Sequence, residues 1–304
     1  MILITGPTGN IGRELVRELA AENTEFRVFV RDPHRAAGLP ERAHRVVGDL
    51  DDVSTYAPAL DGVDRLFLLV PGIGIDHTRD MVAAARVAGV GRIVLLSSYN
   101  ATGDPVPAMG RWHHERETIV RESGIPSSIL RPGGLMTNAL EWAPVIRAGG
   151  IVDDPIGPGR YAPIDPADIA AVAALLLTED GHEGKEYYVT GEQLFTIAEQ
   201  IAVISAVVGR DIGVREAATP QEAVASRYPN GAPPALAAAI LEGFTLMRED
   251  TTGFRTDTVE KLLQRRPGTF ADWCKRNIDA FRPDHAAEEP RATTHGSSGA
   301  GQAE

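Results

Sequence analysis

The chain has 304 residues, 43% of them hydrophobic, and a formal net charge of −12. That length allows one large α/β domain with a smaller lobe, and the acidic balance argues against general nucleic-acid affinity, which needs a positive footprint. The single cysteine, Cys274, excludes an internal disulfide or a cysteine-rich metal site, and no apolar run approaches membrane-spanning length.

Met1-Ile2-Leu3-Ile4 reads as a strand with no basic leader before it, which suggests a soluble cytoplasmic protein. Thr5-Gly6-Pro7-Thr8-Gly9-Asn10-Ile11-Gly12 follows and leads into the helical pattern Ile11–Ala20. Strand, glycine turn and helix in that order form the context in which a glycine fingerprint means dinucleotide binding. Gly6 allows the sharp exit from the strand, Gly9 lets backbone approach a diphosphate, and Gly12 lets the helix pack closely on the sheet. Thr8, Asn10 and Ile11 complete the cradle, where the helix dipole and free amides favour negative charge. The spacing is G-x-x-G-x-x-G.

Phe26–Val30 alternates and reads as the second strand. About 20 residues after the glycines, such folds place the group that reads the adenosine ribose. Arg31 holds that position, and a guanidinium suits a 2′-phosphate by charge and by bidentate geometry. NADP(H) is therefore expected over NAD(H), with Arg35 as a second charge. A one-residue shift would instead make Asp32 the ribose acceptor.

Strand and helix then alternate, as in a doubly wound parallel sheet. His44–Gly48, Val63–Val70, Arg92–Leu96, Ser127–Leu130 and Glu186–Val189 read as strands. His77–Ala88, Arg111–Glu122, Pro166–Leu177 with Asp165 as cap, and Thr196–Val208 ended by Gly209 read as helices. Past residue 210 the pattern is mainly helical. The expected division is a Rossmann-type NAD(P)-binding core over 1–150, with elements from 160–190 returning to it, then a small, mainly helical substrate lobe over 191–285. Residues 286–304 lack apolar periodicity and are expected to be disordered.

Ligands of such sheets lie outside the carboxyl ends of the strands. Asp49 and Leu50 then face the adenine, with a role for Asp49 as a helix N-terminal residue before Asp51-Asp52 equally open. Val70 and Pro71 line the adenosine side. Ser97 and Tyr99 face the nicotinamide, and Pro132 and Gly133 close over its ring.

The ordered words TGPTGNIG, FVRDPHR and VVGDL, then His113-x-x-x-Glu117, ILRPGGLMTN and DPADIA resemble the NmrA-like atypical short-chain dehydrogenases/reductases over Met1 to Phe281. The resemblance implies a Rossmann domain with its substrate in the cleft beside a C-terminal lobe. Members include quinone and azo-dye reductases and proteins that bind the cofactor only to sense redox state. It also implies that Ser97 matches the family's substrate-orienting serine. The lysine of the usual Tyr-x-x-x-Lys pair falls at His113 and the tyrosine at Met109, which cannot transfer a proton. No Tyr-x-x-x-Lys occurs in this chain.

Substitute acids remain. His113 and Glu117 lie one helical turn apart, so a facing carboxylate would raise the imidazole pKa and hold it as a donor. The alternative is a His–Glu pair that positions the cofactor ribose or merely lies at the surface. Tyr99 and Tyr161 are further candidates, and Trp112 and Trp142 can stack on an aromatic substrate. A missing tyrosine fits an electron-poor acceptor, which needs weaker acid assistance. The leading expectation is an NADPH-dependent reductase of a quinone, enone or polyketide-like aromatic small molecule, as a monomer or homodimer. The alternatives are an NADP(H)-sensing regulator without turnover and a non-redox isomerase or cyclase. No histidine spacing suggests a metal.

Overall fold

The computed structural model describes residues 1–282 apart from 228–230, 232 and 252. The expected disordered tail, 286–304, lies outside them.

Seven parallel strands form the main sheet: β1 (Ile2–Thr5), β2 (Phe26–Val30), β3 (His44–Val47), β4 (Arg65–Leu68), β5 (Arg92–Leu96), β6 (Ser127–Pro132) and β8 (Glu186–Val189), in the order β3-β2-β1-β4-β5-β6-β8. The order reverses between β1 and β4, which opens a crevice at their carboxyl ends. The fold class and the seven strands of this sheet match the sequence reading. The strand expected over Val63–Val70 is shorter at both ends.

Helices cover both faces. On one lie α1 (Asn10–Ala21) and α6 (Pro166–Thr178); on the other lie α2 (Tyr56–Leu60), α3 (Asp76–Val87) and α4 (Arg111–Glu122). The stripe Ile11, Leu15, Val16 and Leu19 of α1 is at most 6% exposed. Each such side chain contributes roughly 1.5–3 kcal/mol by leaving water. α6 is buried nearly all round because it packs against α1, the sheet and α10 (Thr258–Leu263). As expected, the Asp165 carboxylate caps it, accepting the Ala167 N–H at 3.0 Å.

The C-terminal lobe has its own core. Met136, Ile146, Val152 and Ile156 join Ile197, Ile201, Phe270, Trp273 and Phe281 in it. Residues 136–156 thus pack with the lobe, although they straddle the expected boundary at 150. The lobe holds α5 (Ala143–Arg147), β7 (Ile151–Asp154), α7 (Ile197–Val208), β9 (Gly213–Glu216), α8 (Pro220–Arg227), α9 (Pro234–Glu249) and α11 (Phe270–Arg276). β7 and β9 pair in parallel, a small sheet the mainly helical expectation omitted. Thr196 and Glu199 form a capping box on α7, and Gly209 ends it with φ +79°. Cys274 is free and buried. Among the described residues, no helix is long and apolar enough to cross a membrane, and no group of His, Cys, Asp and Glu is arranged to hold a metal.

Candidate active site

The glycine turn follows β1. Gly6 has φ +64°, and the Gly9 N–H donates to Gly6 O at 3.2 Å. A Cβ on Gly12 would stand 2.1 Å from Gly6 O, so only glycine lets the helix start close on its own turn. The close partner is thus the turn, where sheet packing was expected. α1 begins without a side-chain cap and without an acid in its first turn. Its first amides therefore remain available to an anion. Thr8, Gly9 and Asn10 are exposed, while Ile11 turns into the core. Asn10 Nδ2 donates to Thr137 Oγ1 at 3.2 Å, tying the turn to the loop after β6. This cradle fits a diphosphate.

Arg31 and Arg35 are exposed at the end of β2, and no ion pair holds either among the described residues. Asp32 is used locally: Oδ1 accepts the His34 N–H at 2.9 Å and caps a short turn. Asp49 does likewise, with Oδ1 accepting the Asp51 N–H at 3.1 Å. Leu50 is half-buried beside it, and its carbonyl accepts the Tyr56 hydroxyl at 2.7 Å. After β4, Val70 is buried and Pro71 exposed. Arg116, 2% exposed on α4, organises this loop. Its guanidinium donates to Gly74 O at 2.8 Å, Gly72 O at 2.9 Å and Val70 O at 3.0 Å. The sequence reading missed Arg116; one arginine on an otherwise charged helix gives no sign of its burial.

The expected His113–Glu117 pair does not form. Glu117 is fully buried, and both its oxygens are taken. Oε1 accepts the Ser97 hydroxyl at 2.5 Å and Arg131 Nε at 2.8 Å. Oε2 accepts Arg131 at 2.6 Å and Arg121 at 2.7 Å. Burial alone would raise the Glu117 pKa, but the Arg131 and Ser97 hydrogen bonds bring it below the usual carboxylate range. Arg131 also reaches Glu186 at 2.6 Å and the Tyr188 hydroxyl at 2.7 Å. His113 is left without that support. Burial first, then the neighbouring Arg116 charge, lowers its pKa to about 4, and Glu117 offsets this only in part. The imidazole is therefore neutral near pH 7 and carries no ionic proton to donate, contrary to the expectation of a raised pKa. The Ser97 hydroxyl, 5% exposed, is likewise committed to Glu117.

Beyond Pro132, which is buried, and Gly133, which is half-buried, the sheet ends at a cleft. A cavity of about 600 Å³ lies between the sheet and the lobe. Tyr99, Trp142, Tyr161, Phe244 and Met247 line it, with Asn100, Asn138, Glu141 and Asp153. A smaller recess adjoins Gly133 and Gly134, between Tyr99, Tyr161 and Phe254. Tyr99 stacks on Phe254 at 6.4 Å between ring centroids. Burial raises the Tyr99 pKa, with Asp250 adding to it, so the phenol stays protonated. Trp142 thus reaches the cleft as expected, whereas Trp112 lies against the His113 ring, 5.7 Å between centroids. Met109 approaches Gly243 of α9, whose Cβ would stand 3.8 Å from its Cγ.

A family model described as NAD(P)H-binding matches residues 6–180. The chain is 37% identical to the NAD(P)H azoreductase of Xenophilus azovorans, over 92% of this chain and 99% of that one. It is 36% identical to the (4-alkanoyl-5-oxo-2,5-dihydrofuran-3-yl)methyl phosphate reductase of Streptomyces griseus, over 93% and 100%. The crystal structure of NADPH-dependent quinone oxidoreductase from Escherichia coli with NADPH is similar, with TM-score 0.81 and 27% identity over 91% of this chain and 100% of that one.

Proposed function

This chain belongs to the NAD(P)H-binding family, and from that premise we propose that it reduces a conjugated aromatic small molecule, a quinone, enone or polyketide-like compound, with NADPH as donor. One observation carries the reading: an aromatic-lined cavity opens where β6 ends, at the same carboxyl edge of the sheet as an uncapped glycine turn. Aromatic walls favour a flat conjugated guest, by area buried and by ring contacts. The azoreductase and quinone oxidoreductase names of the relatives support the same substrate chemistry.

In this reading, Gly6, Thr8, Gly9, Asn10, Ile11 and Gly12 hold the diphosphate. Arg31 and Arg35 pair with a 2′-phosphate, and because Asp32 is committed to its own turn, NADP(H) is favoured over NAD(H). Asp49 and Leu50 flank the adenine, and Val70 and Pro71, held by Arg116, flank the adenosine. Pro132, Gly133, Ser97 and His113 border the nicotinamide side, His113 as a neutral hydrogen-bonding group. Tyr99 forms the aromatic wall of the acceptor site. The bound nicotinamide supplies a hydride; the chain's task is to orient the acceptor and exclude water.

The test follows NADPH absorbance with a panel of quinones, enones and azo compounds. Acceptor-dependent loss of NADPH is expected. Tight NADPH binding with no consumption by any acceptor would favour the redox-sensing alternative.

A further inference from the structure

We infer that Tyr161 is the proton donor to the reduced acceptor and that Gln200 is the group that stabilises it once the proton has left. The inference rests on the reductase reading above and names a residue for the step that Met109 cannot perform.

Tyr161 borders both the large cavity and the recess at Gly133 and Gly134. Its backbone is fixed by reciprocal hydrogen bonds with Phe195, at 3.1 and 2.9 Å. Its ring lies over Gly134, where a Cβ would stand 2.8 Å from two ring carbons. Glycine at that position is therefore what admits a phenol to the carboxyl end of β6.

The hydroxyl donates to Gln200 Oε1 at 3.2 Å. Gln200 sits on α7 and is 1% exposed. Its Nε2 is buried and has no hydrogen-bond partner among the described residues. An unpartnered buried amide costs free energy and calls for an explanation. Proton transfer supplies one. While Tyr161 is neutral, it donates to Oε1. When an acceptor that has gained hydride stands in the cavity, its anionic oxygen or nitrogen competes for the Tyr161 proton. A half-turn of the amide then brings Nε2–H to the phenolate oxygen. The O–H bond of Tyr161 breaks, the product's O–H or N–H bond forms, and solvent later reprotonates the phenolate. The reduced nicotinamide provides the electron pair, and water provides the proton of each cycle.

Burial raises the phenol to about 12; the Gln200 hydrogen bond lowers it, and Asp154, Tyr99 and Glu141 raise it, so Tyr161 stays protonated at neutral pH until an acceptor anion takes its proton. Tyr99 shares the cavity, but its ring is stacked on Phe254.

The experiment compares wild type, Tyr161→Phe and Gln200→Leu. Equilibrium binding of NADPH, and of the acceptor by Trp142 fluorescence, is measured alongside kcat, KM and the solvent deuterium isotope effect with an enone. Expected for Tyr161→Phe is a kcat ~100-fold lower, with both binding constants within about twofold of wild type and no solvent isotope effect. Gln200→Leu should lower kcat about tenfold, as loss of one neutral hydrogen bond implies. Wild-type kcat and isotope effect in Tyr161→Phe would overturn the proposal, as would loss of binding equal to the loss of rate. A wild type that binds NADPH yet turns over no acceptor would overturn the reductase reading and this proposal with it.

Discussion

Ser97 and Glu117 are joined by a 2.5 Å hydrogen bond at the carboxyl end of β5, in which the hydroxyl donates to a fully buried carboxylate. The bond joins the serine to a network with Arg131, Arg121 and Glu186. The network ties α4, β6 and β8 together.

Replacing Glu117 with Gln should therefore be costly. It leaves the Arg131 guanidinium, 4% exposed, without its buried anion. Breaking one side of such a pair costs ~3–5 kcal/mol, read as a lower denaturation midpoint. The wild type has a matching pH signature. The Glu117 pKa is lower folded than unfolded, so its stabilisation is present above the ordinary carboxylate range and is lost as pH falls through the folded value. Glu117→Gln should flatten the acid limb of the stability curve.

Arg116→Lys should weaken NADPH binding without unfolding the protein. An ammonium cannot keep three carbonyls, those of Val70, Gly72 and Gly74, in one fork. A rise of about tenfold in the NADPH dissociation constant is expected if one or two hydrogen bonds are lost. Equilibrium fluorescence titration reads it directly.

His113 should stay neutral down to about pH 4. Its folded pKa lies below the ordinary imidazole value, so the unfolded chain binds the proton first. Stability is then lost as pH falls from ~6.5 toward the folded value, by up to about 3 kcal/mol. NMR titration of the imidazole checks the pKa. His113→Gln should remove that part of the acid destabilisation, and retention of the full slope would contradict it.

Arg31→Asp should move cofactor preference toward NAD(H) by an order of magnitude or so. A charge-assisted contact with the 2′-phosphate is worth ~1.5–3 kcal/mol. The ratio of NADPH to NADH dissociation constants is the measurement, and an unchanged ratio would count against Arg31.

The sheet was legible because its signals are local. Apolar runs such as Arg65–Leu68, glycine stops and the Asp165 cap mark elements one at a time. The 151–154 strand was not, because its partner lies 62 residues away at Gly213 and four residues carry little periodicity. The candidate site divides the same way. The glycine turn is a contiguous word, whereas the partners of Glu117 come from the residue after β5, from β6 and from its own helix. Helical spacing placed His113 and Glu117 on one face. It could not show that Arg131 and Ser97 would claim the carboxylate from across the sheet.

The central claim is that the Gly6–Gly12 turn cradles the cofactor diphosphate, and NADPH fluorescence titration of wild type against Gly12→Val tests it most directly. A Cβ 2.1 Å from Gly6 O must distort the turn, so the account predicts saturable wild-type binding and its loss, by ~100-fold or more, in a folded variant. Equal affinity in the two proteins, or no wild-type binding at millimolar NADPH, would contradict it.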